Sequence, residues 1–363
     1  MRVLLVTPEC FPLIKTGGLA DVTGALPLAL SELGVDARVL LPAYPSVRSK
    51  LTGIHTVAPI PNLFGGDAQL LAGDAADGLR AFTLDAPHLF DRPGNPYLGP
   101  DGKDWPDNHF RFAALAWVGS EIGLGELGAW QPDLVHTHDW QAGLTSAYMT
   151  FGSTSPPPSV FTIHNLAFQG LFPASLLTAL RLPAASFATD GLEFHGKIGF
   201  LKAGLRYADR LTTVSPTYAR EIRTPEHGMG LDGVLRQRAD VLSGIANGID
   251  DAVWNPAHDP DIDQAYTARR LRAKAANRAA LQRHFALAPR DDVPLFCVIS
   301  RLTVQKGIDL LLDVLPTLLA KGGQLALLGA GDAALEQALR QASVAHAGQI
   351  GVFIGYDEAL SHR

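Results

Sequence analysis

Arg2-Val3-Leu4-Leu5-Val6-Thr7 is an unbroken apolar run, the kind that lies buried on both faces of a parallel sheet. Lys15-Thr16-Gly17-Gly18 follows and opens a segment in which Leu19, Val22, Leu26, Leu30 and Leu33 recur at spacings of three and four. That is the period of a helix with one buried face. Gly34 marks its end, and Val39-Leu40-Leu41 is the next strand. Strand, glycine-rich turn, helix, strand is the opening unit of a doubly wound sheet.

The alternation continues outward from this unit. Weaker strands are expected at 54–59 and 79–85, a loop over 89–107 rich in Gly, Pro, Asn and Asp, and a helix over 110–122. Strands at 133–137, 160–164 and 210–214 follow, with helices over 140–151 and 217–222. The run 153–158, with its three prolines, reads as a surface connector. After a loop at 251–265 and a helix over 268–285, the segments 294–300, 307–319, 324–329, 333–344 and 351–355 read strand, helix, strand, helix, strand. The class is α/β with mainly parallel sheets. Open sheets of this kind usually carry about five or six strands, so the second cycle is about half a domain. Its last strand is expected to be a bare apolar edge, which soluble proteins avoid. A truncated chain, or one completed by a partner, is therefore expected.

Composition narrows the function. The 363 residues give a prior of roughly two domains. With 47% apolar and 18% charged residues the chain has ample material for a core. The formal charge of −6 argues against a nucleic-acid partner, whose phosphates call for basic excess. No apolar run has the roughly 20 residues of a membrane span, and the start is too short for a signal peptide. Two cysteines cannot form a disulfide framework. Cys10 and Cys297 lie in or beside apolar runs and are expected to be buried free thiols in a reducing cytoplasm.

Several motifs carry chemistry. Glycines at Gly17 and Gly18 would let backbone N–H groups approach an anion at a helix start, with Lys15 adding a point charge; a tight turn needing Gly for packing is the competing reading. The spacing is neither the dinucleotide fingerprint nor the Walker loop. His136-Thr137-His138-Asp139 at a strand end could be a metal site or a polar switch-point loop; a metal hydrolase would need further ligands that the sequence does not supply. His164 ends the next strand and shares the same rim with Lys15 and Asp139. Asn247-Gly248 suits a turn with positive φ. Arg301 and Lys306 flank a strand–helix junction and could converge on one phosphate group. Gly329-Ala330-Gly331-Asp332 opens the next helix in the same manner, and Asp259, Asp261 and Asp263 in a proline-rich loop read as solvated.

On these residues the chain resembles the bacterial glycogen synthase family of the starch synthase type. The shared runs are Lys15-Thr16-Gly17-Gly18-Leu19-Ala20-Asp21-Val22, His138-Asp139-Trp140-Gln141-Ala142-Gly143-Leu144, Thr162-Ile163-His164-Asn165-Leu166-Ala167, Phe200-Leu201-Lys202-Ala203-Gly204, Thr213-Val214-Ser215-Pro216-Thr217-Tyr218-Ala219, Ile245-Ala246-Asn247-Gly248-Ile249-Asp250, Ser300-Arg301-Leu302-Thr303 through Lys306-Gly307, and Ile354-Gly355-Tyr356-Asp357. They run from end to end in family order.

The resemblance implies a GT-B fold, two doubly wound Rossmann-like domains facing across a cleft, here with the second incomplete. It divides the chain into an acceptor-side starch synthase domain at 1–245, an interdomain connector at 246–290 and a partial nucleotide-sugar domain at 291–363. It implies retaining transfer of glucose from ADP-glucose to an α-1,4-glucan such as glycogen, with neither metal nor cofactor. Arg301 and Lys306 would stabilise the departing β-phosphate, with Lys15, Gly17 and Gly18 contributing. His164 and Asp21 would position the glucose, Asn247 would support the site, Asp139 would lie on the acceptor side, and Tyr356 would stack on the adenine. Phe168 stands where the family commonly has tyrosine. Family members continue past residue 363 with the rest of the second sheet and an acidic catalytic residue, so a binding-only fragment without catalysis is the alternative expectation.

Overall fold

In the computed structural model, which describes residues 1–76, 78–128 and 130–363, the opening apolar run becomes strand β1 (Arg2–Val6), with Leu4, Leu5 and Val6 fully buried. It lies inside a nine-stranded sheet with β2 (Asp36–Pro42), β3 (Thr52–Leu63), β4 (Gly66–Asp74), β5 (Arg80–Asp85), β6 (Leu134–His138) and β7 (Ser159–Ile163). A separate small antiparallel sheet contains β8 (Leu171–Pro173), β9 (Glu193–Phe194) and β10 (Lys197–Gly199). The chain then returns to the main sheet with β11 (Arg210–Thr213) and β12 (Leu242–Gly244), giving the order β12-β11-β7-β6-β1-β2-β5-β4-β3. Pairing is parallel from β12 through β5, and β4 and β3 add an antiparallel hairpin. The expected strand at 54–59 is the middle of the long β3, and β4 was not anticipated.

The strand order reverses beside β1. The chain moves from β1 out to β2 and β5, then returns to place β6 on the other side of β1. Loops leaving the carboxyl ends of β1 and β6 therefore run in opposite directions and open a crevice. The expected helix over 140–151 is two pieces, Asp139–Ala142 and Leu144–Gly152, meeting at Gly143. A Cβ on Gly143 would stand 2.1 Å from the Phe200 carbonyl oxygen, so this segment lies directly on the helix Phe200–Tyr207.

Contacts divide the chain into two units, Met1–Gly248 and Ile249–Arg363. The second unit is built on β13 (Leu295–Ile299), β14 (Gln324–Gly329) and β15 (Ile350–Ile354), parallel and in that order. Leu325 and Leu327 of β14 face a core with Leu302, Ile308, Leu315 and Leu339, while Ala326 and Leu328 face Leu281, Leu287 and Leu360. Both faces of the sheet are thus covered, as the unbroken burial of β14 requires.

Four expectations change here. The most exposed edge is β13, where Phe296 and Ile299 are 47% and 55% exposed, rather than the last strand, whose Ile350 and Gly351 are buried. Cys297 on that edge is exposed, and only Cys10 is buried. From Ile249 onward the segment 246–290 packs within the second unit. Asn277 bonds the Gln264 backbone at both its N–H and its carbonyl (2.7 and 2.8 Å), and Arg278 donates to the carbonyls of Arg290 and Val293. The helix over 268–285 is interrupted at Arg270, whose φ of −129° and ψ of 44° are not helical, and continues as Lys274–His284.

Gly143→Ala puts a methyl group against a backbone oxygen that no side-chain rotation can move. It is expected to destabilise the first unit by about 1–3 kcal/mol, read as a lower midpoint in urea denaturation. Gly18→Ala, where a Cβ meets nothing within 4 Å, is the control and should leave the midpoint nearly unchanged.

Candidate active site

Every sequence-expected residue of the first unit except Asn247 lies at the carboxyl rim of the parallel strands. Lys15, Gly17, Gly18 and Asp21 follow β1, Asp139 follows β6, and His164 follows β7. Asn247 sits farther on, exposed in the extended segment after β12. Neither Asn247 nor Gly248 has positive φ, so the expected Asn-Gly turn is not formed.

Asp139 ties the rim together. It is a non-glycine residue with φ of 54°, a conformation that Asp tolerates better than most, and it is buried. Its Oδ1 accepts the backbone N–H of His164 at 2.7 Å and of Asn165 at 3.3 Å. The carboxylate therefore holds the loop after β7 against the end of β6. Burial pushes its pKa up to about 7; the two N–H groups pull it down, and the Glu9 charge raises it again. Asp139 thus acts through the backbone of His164. Leu166 is held from the other side, its N–H donating to the Tyr218 hydroxyl at 3.0 Å.

Three histidines occupy the same rim. His138 is fully buried, and its Nδ1 lies 3.1 Å from His164 Nε2. His136 stacks on His138 with centroids 4.3 Å apart, and its Nε2 lies 2.6 Å from Thr162 Oγ1. Burial pushes His136 and His164 down to about 4 and holds His138 well below its ordinary value, so all three rings are neutral near pH 7. One nitrogen of each ring is engaged, His138 Nδ1 with His164 Nε2 and His136 Nε2 with Thr162. The metal reading of His136, His138 and Asp139 finds no converging ligand set among the described residues.

The loop between β1 and its helix is anchored by Glu9, which is buried. Its carboxylate accepts the Thr16 backbone N–H, the Thr16 hydroxyl at 2.6 Å and the Tyr97 hydroxyl. Lys15 Nζ lies 2.9 Å from Asp21 Oδ1 and over the Phe11 ring. A Cβ at Gly17 or Gly18 would meet nothing within 4 Å, and neither residue has positive φ. Packing and turn geometry therefore do not demand these glycines, and the open side of the loop leaves its backbone approachable. Sequence reading passed over Glu9 and Tyr97. A lone carboxylate inside an apolar stretch was the signal for Glu9; Tyr97 sits in an irregular loop that carries none.

In the second unit, Arg301 and Lys306 are exposed beside the helix Ile308–Ala320. Gly307 enters that helix at φ 71°, and no side chain caps its N-terminus. The neighbouring helix Ala333–Ala345 differs, because Asp332 caps it by accepting from Ala334 and Leu335 N–H at 2.9 and 3.2 Å. Gly329 and Gly331 serve packing, since a Cβ on either would meet the Ser300 or Leu302 carbonyl oxygen at 2.0 or 2.3 Å. They lock the ends of β13 and β14 together and so fix where Arg301 starts. Tyr356 is 67% exposed, with its hydroxyl donating to Glu358.

The aspartate run departs from its solvated expectation. His362 Nδ1 lies 2.7 Å from Asp259 Oδ2, and both side chains are only 6% exposed. Burial raises the Asp259 pKa, but His362 and the Asp261 N–H outweigh it and hold the carboxyl below its ordinary value. Asp259, Asp261 and His362 form the one group of potential metal ligands among the described residues. Trp254 stacks on His362 at 3.9 Å, so the ring is already engaged on its face and at Nδ1.

Residues 2–237 match the starch synthase catalytic domain family. A glycogen synthase of Rhodopseudomonas palustris is 58% identical across all of this chain and 74% of its own length. One from Roseobacter denitrificans is 57% identical across all of this chain and 75% of its own length. Among solved structures, the catalytic domain of starch synthase IV from Arabidopsis thaliana bound to ADP and acarbose superposes with a TM-score of 0.88 at 29% identity, over 99% of this chain and 75% of that one. Sucrose-phosphate synthase from Thermosynechococcus elongatus, at 15% identity and a TM-score of 0.55, shares the GT-B fold. The chain belongs to the glycogen synthase and starch synthase family of glycosyltransferases.

Proposed function

We propose that this chain transfers glucose from ADP-glucose to the non-reducing end of an α-1,4-glucan, with retention of configuration, without a metal, and in the cytoplasm. The observation that carries the reading is the pair Arg301 and Lys306 beside an uncapped helix N-terminus. Neither forms an ion pair among the described residues. Two such cations and a helix start together suit a diphosphate. The ADP-bound starch synthase supports adenine as the base, and exposed Tyr356 offers its ring to it.

In this reading the bond from C1 of the glucose to the β-phosphate breaks. The acceptor hydroxyl oxygen bonds to C1, and its proton leaves with the phosphate. Arg301 and Lys306 meet the charge that grows on the departing ADP, and Lys15 with the Gly17 and Gly18 amides adds to it. His164 and Asp21 orient the glucose, Asp139 holds His164 in place, and Asn247 supports the sugar side. No helix among the described residues is long and apolar enough to cross a membrane. The free thiols accord with a reducing compartment.

Incorporation of labelled glucose from ADP-glucose into glycogen tests the reading, with UDP-glucose in parallel. Transfer from ADP-glucose is expected to exceed that from UDP-glucose; equal rates refute the adenosine assignment, and donor binding without transfer refutes the activity. Arg301→Ala and Lys306→Ala should each lower turnover by about 10²–10³-fold, with a smaller change in KM. A chelator in the assay should leave the rate unchanged, and a rate that collapses and returns with added metal contradicts the metal-free reading.

The neutral histidines set the acid limit of the fold. Unfolded histidines titrate near 6.5, and His136 and His164 near 4 when folded. Between those values the unfolded chain binds protons that the native rim refuses, so stability present above 6.5 is lost as pH falls to 4. Asp139 opposes this in part, because its folded pKa of about 7 exceeds its ordinary 3.8 and the native state holds that proton more tightly. Three histidines against one carboxylate leave stability rising with pH over this window. His136→Gln, which keeps an amide beside Thr162, should flatten the unfolding free energy by about 1.4 kcal/mol per pH unit. An unchanged slope contradicts the buried neutral ring.

A further inference from the structure

His138 has no part in the reaction described above, yet it is among the most constrained side chains of the rim. It is fully buried, follows the stacked His136 by one pleat of β6, and pairs in register with Thr162 of β7. Its Nδ1 lies 3.1 Å from His164 Nε2, and its own Nε2 is buried with no hydrogen-bond partner among the described residues. His136 does not compete for the contact, because its Nε2 is given to Thr162, whose hydroxyl is in turn 2.5 Å from that of Thr212.

Two neutral rings at this distance need one N–H and one bare nitrogen. If His164 donated from Nε2, His138 would have to carry its hydrogen on its own Nε2. That would bury an N–H with no acceptor, the rarest kind of orphan in folded proteins. If His138 donates from Nδ1, its Nε2 is bare, and the buried site holds only an unused lone pair. The second arrangement is the cheaper one. It leaves His164 Nε2 accepting and places the His164 hydrogen on Nδ1, a nitrogen with no protein partner among the described residues. Burial, which keeps both rings neutral near pH 7, is consistent with this exchange of a single proton.

We infer that His138 is a positioning residue that fixes His164 as its Nδ1–H tautomer, so that His164 offers a hydrogen-bond donor to a hydroxyl oxygen of the bound sugar. The last step rests on the glucosyl-transfer reading; the tautomer does not. Consecutive residues of one strand end thereby hold His164 twice: the His138 ring meets the His164 ring, and the Asp139 carboxylate accepts the His164 backbone N–H.

The test is the tautomeric state of His164 in the 363-residue chain, read near pH 7 from long-range proton–nitrogen NMR correlations of its ring. The His164 signal is assigned by its loss in His164→Asn. A protonated Nδ1 and a bare Nε2 are expected. His138→Asn, whose amide can replace the Nδ1–H donor, should keep that pattern, and His138→Asp, whose carboxylate can only accept, should put a hydrogen on His164 Nε2. A wild-type His164 with the hydrogen on Nε2 overturns the proposal, as does an unchanged pattern in a folded His138→Asp. If the aspartate variant does not fold, the wild-type and asparagine spectra decide. In the transfer assay, His138→Asp should lower kcat by about 10–100-fold with little change in KM, and His138→Asn should recover most of it. A tautomer switch without any kinetic effect would retain the ring assignment and remove the sugar contact, while an absence of transfer in the wild type would count against the glucosyl reading alone.

Discussion

The hydrogen bonds from Asp139 to the His164 and Asn165 amides are the constraint on which the first unit's rim depends. Parallel pairing of β6 with β7 brings the two strand ends side by side, but pairing ends at the last ladder bond. Beyond it the chain is loop, and a loop side chain is only as well placed as its backbone. A buried carboxylate in a left-handed conformation reaches across the gap and satisfies two amides that would otherwise lack acceptors. Taking that carboxylate out of water is costly, which is why its pKa rises despite two donors. The expense is the kind that functional sites carry and that ordinary loops avoid.

A similar economy of capping distinguishes the second unit's helices. Ala333–Ala345 and Glu358–His362 have their N-termini closed by Asp332 and Asp357. Ile308–Ala320 does not, and it is this helix that has Arg301 and Lys306 beside its start. A helix start whose donors are already taken offers little to an external anion; one left without a side-chain cap and flanked by two cations keeps its positive field. Glycine usage follows the same division. Gly329 and Gly331 are dictated by backbone contacts, whereas Gly17 and Gly18 face open space.

Much of this was legible in the sequence because it is written in local patterns. The apolar run of β1, the helical period after Gly18 and the three strands of the second unit each follow from residues a few positions apart. The elements that were missed depend on partners far along the chain. β4 lacks β-branched residues and exists by pairing with β3 and β5. Asp259 looks solvated until His362 folds onto it, and Cys297 looks buried until β13 proves to be an outer strand. The same applies to the site. Lys15, His164, Arg301 and Lys306 were visible as motif residues. Glu9, Tyr97 and His138 act by contacts that no spacing rule encodes, and the Gly329–Asp332 turn looked like an anion site only because its internal cap could not be seen.

The claim that Asp139 organises the rim can be examined amide by amide. Hydrogen exchange at His164 and Asn165 should be slowed in the native chain and remain slow in Asp139→Asn, since Asn keeps an acceptor and tolerates the left-handed backbone. In Asp139→Ala both amides should exchange faster by roughly 10–100-fold, while the paired amides of β7 keep their protection. Equal protection of His164 and Asn165 in the alanine variant would contradict the account.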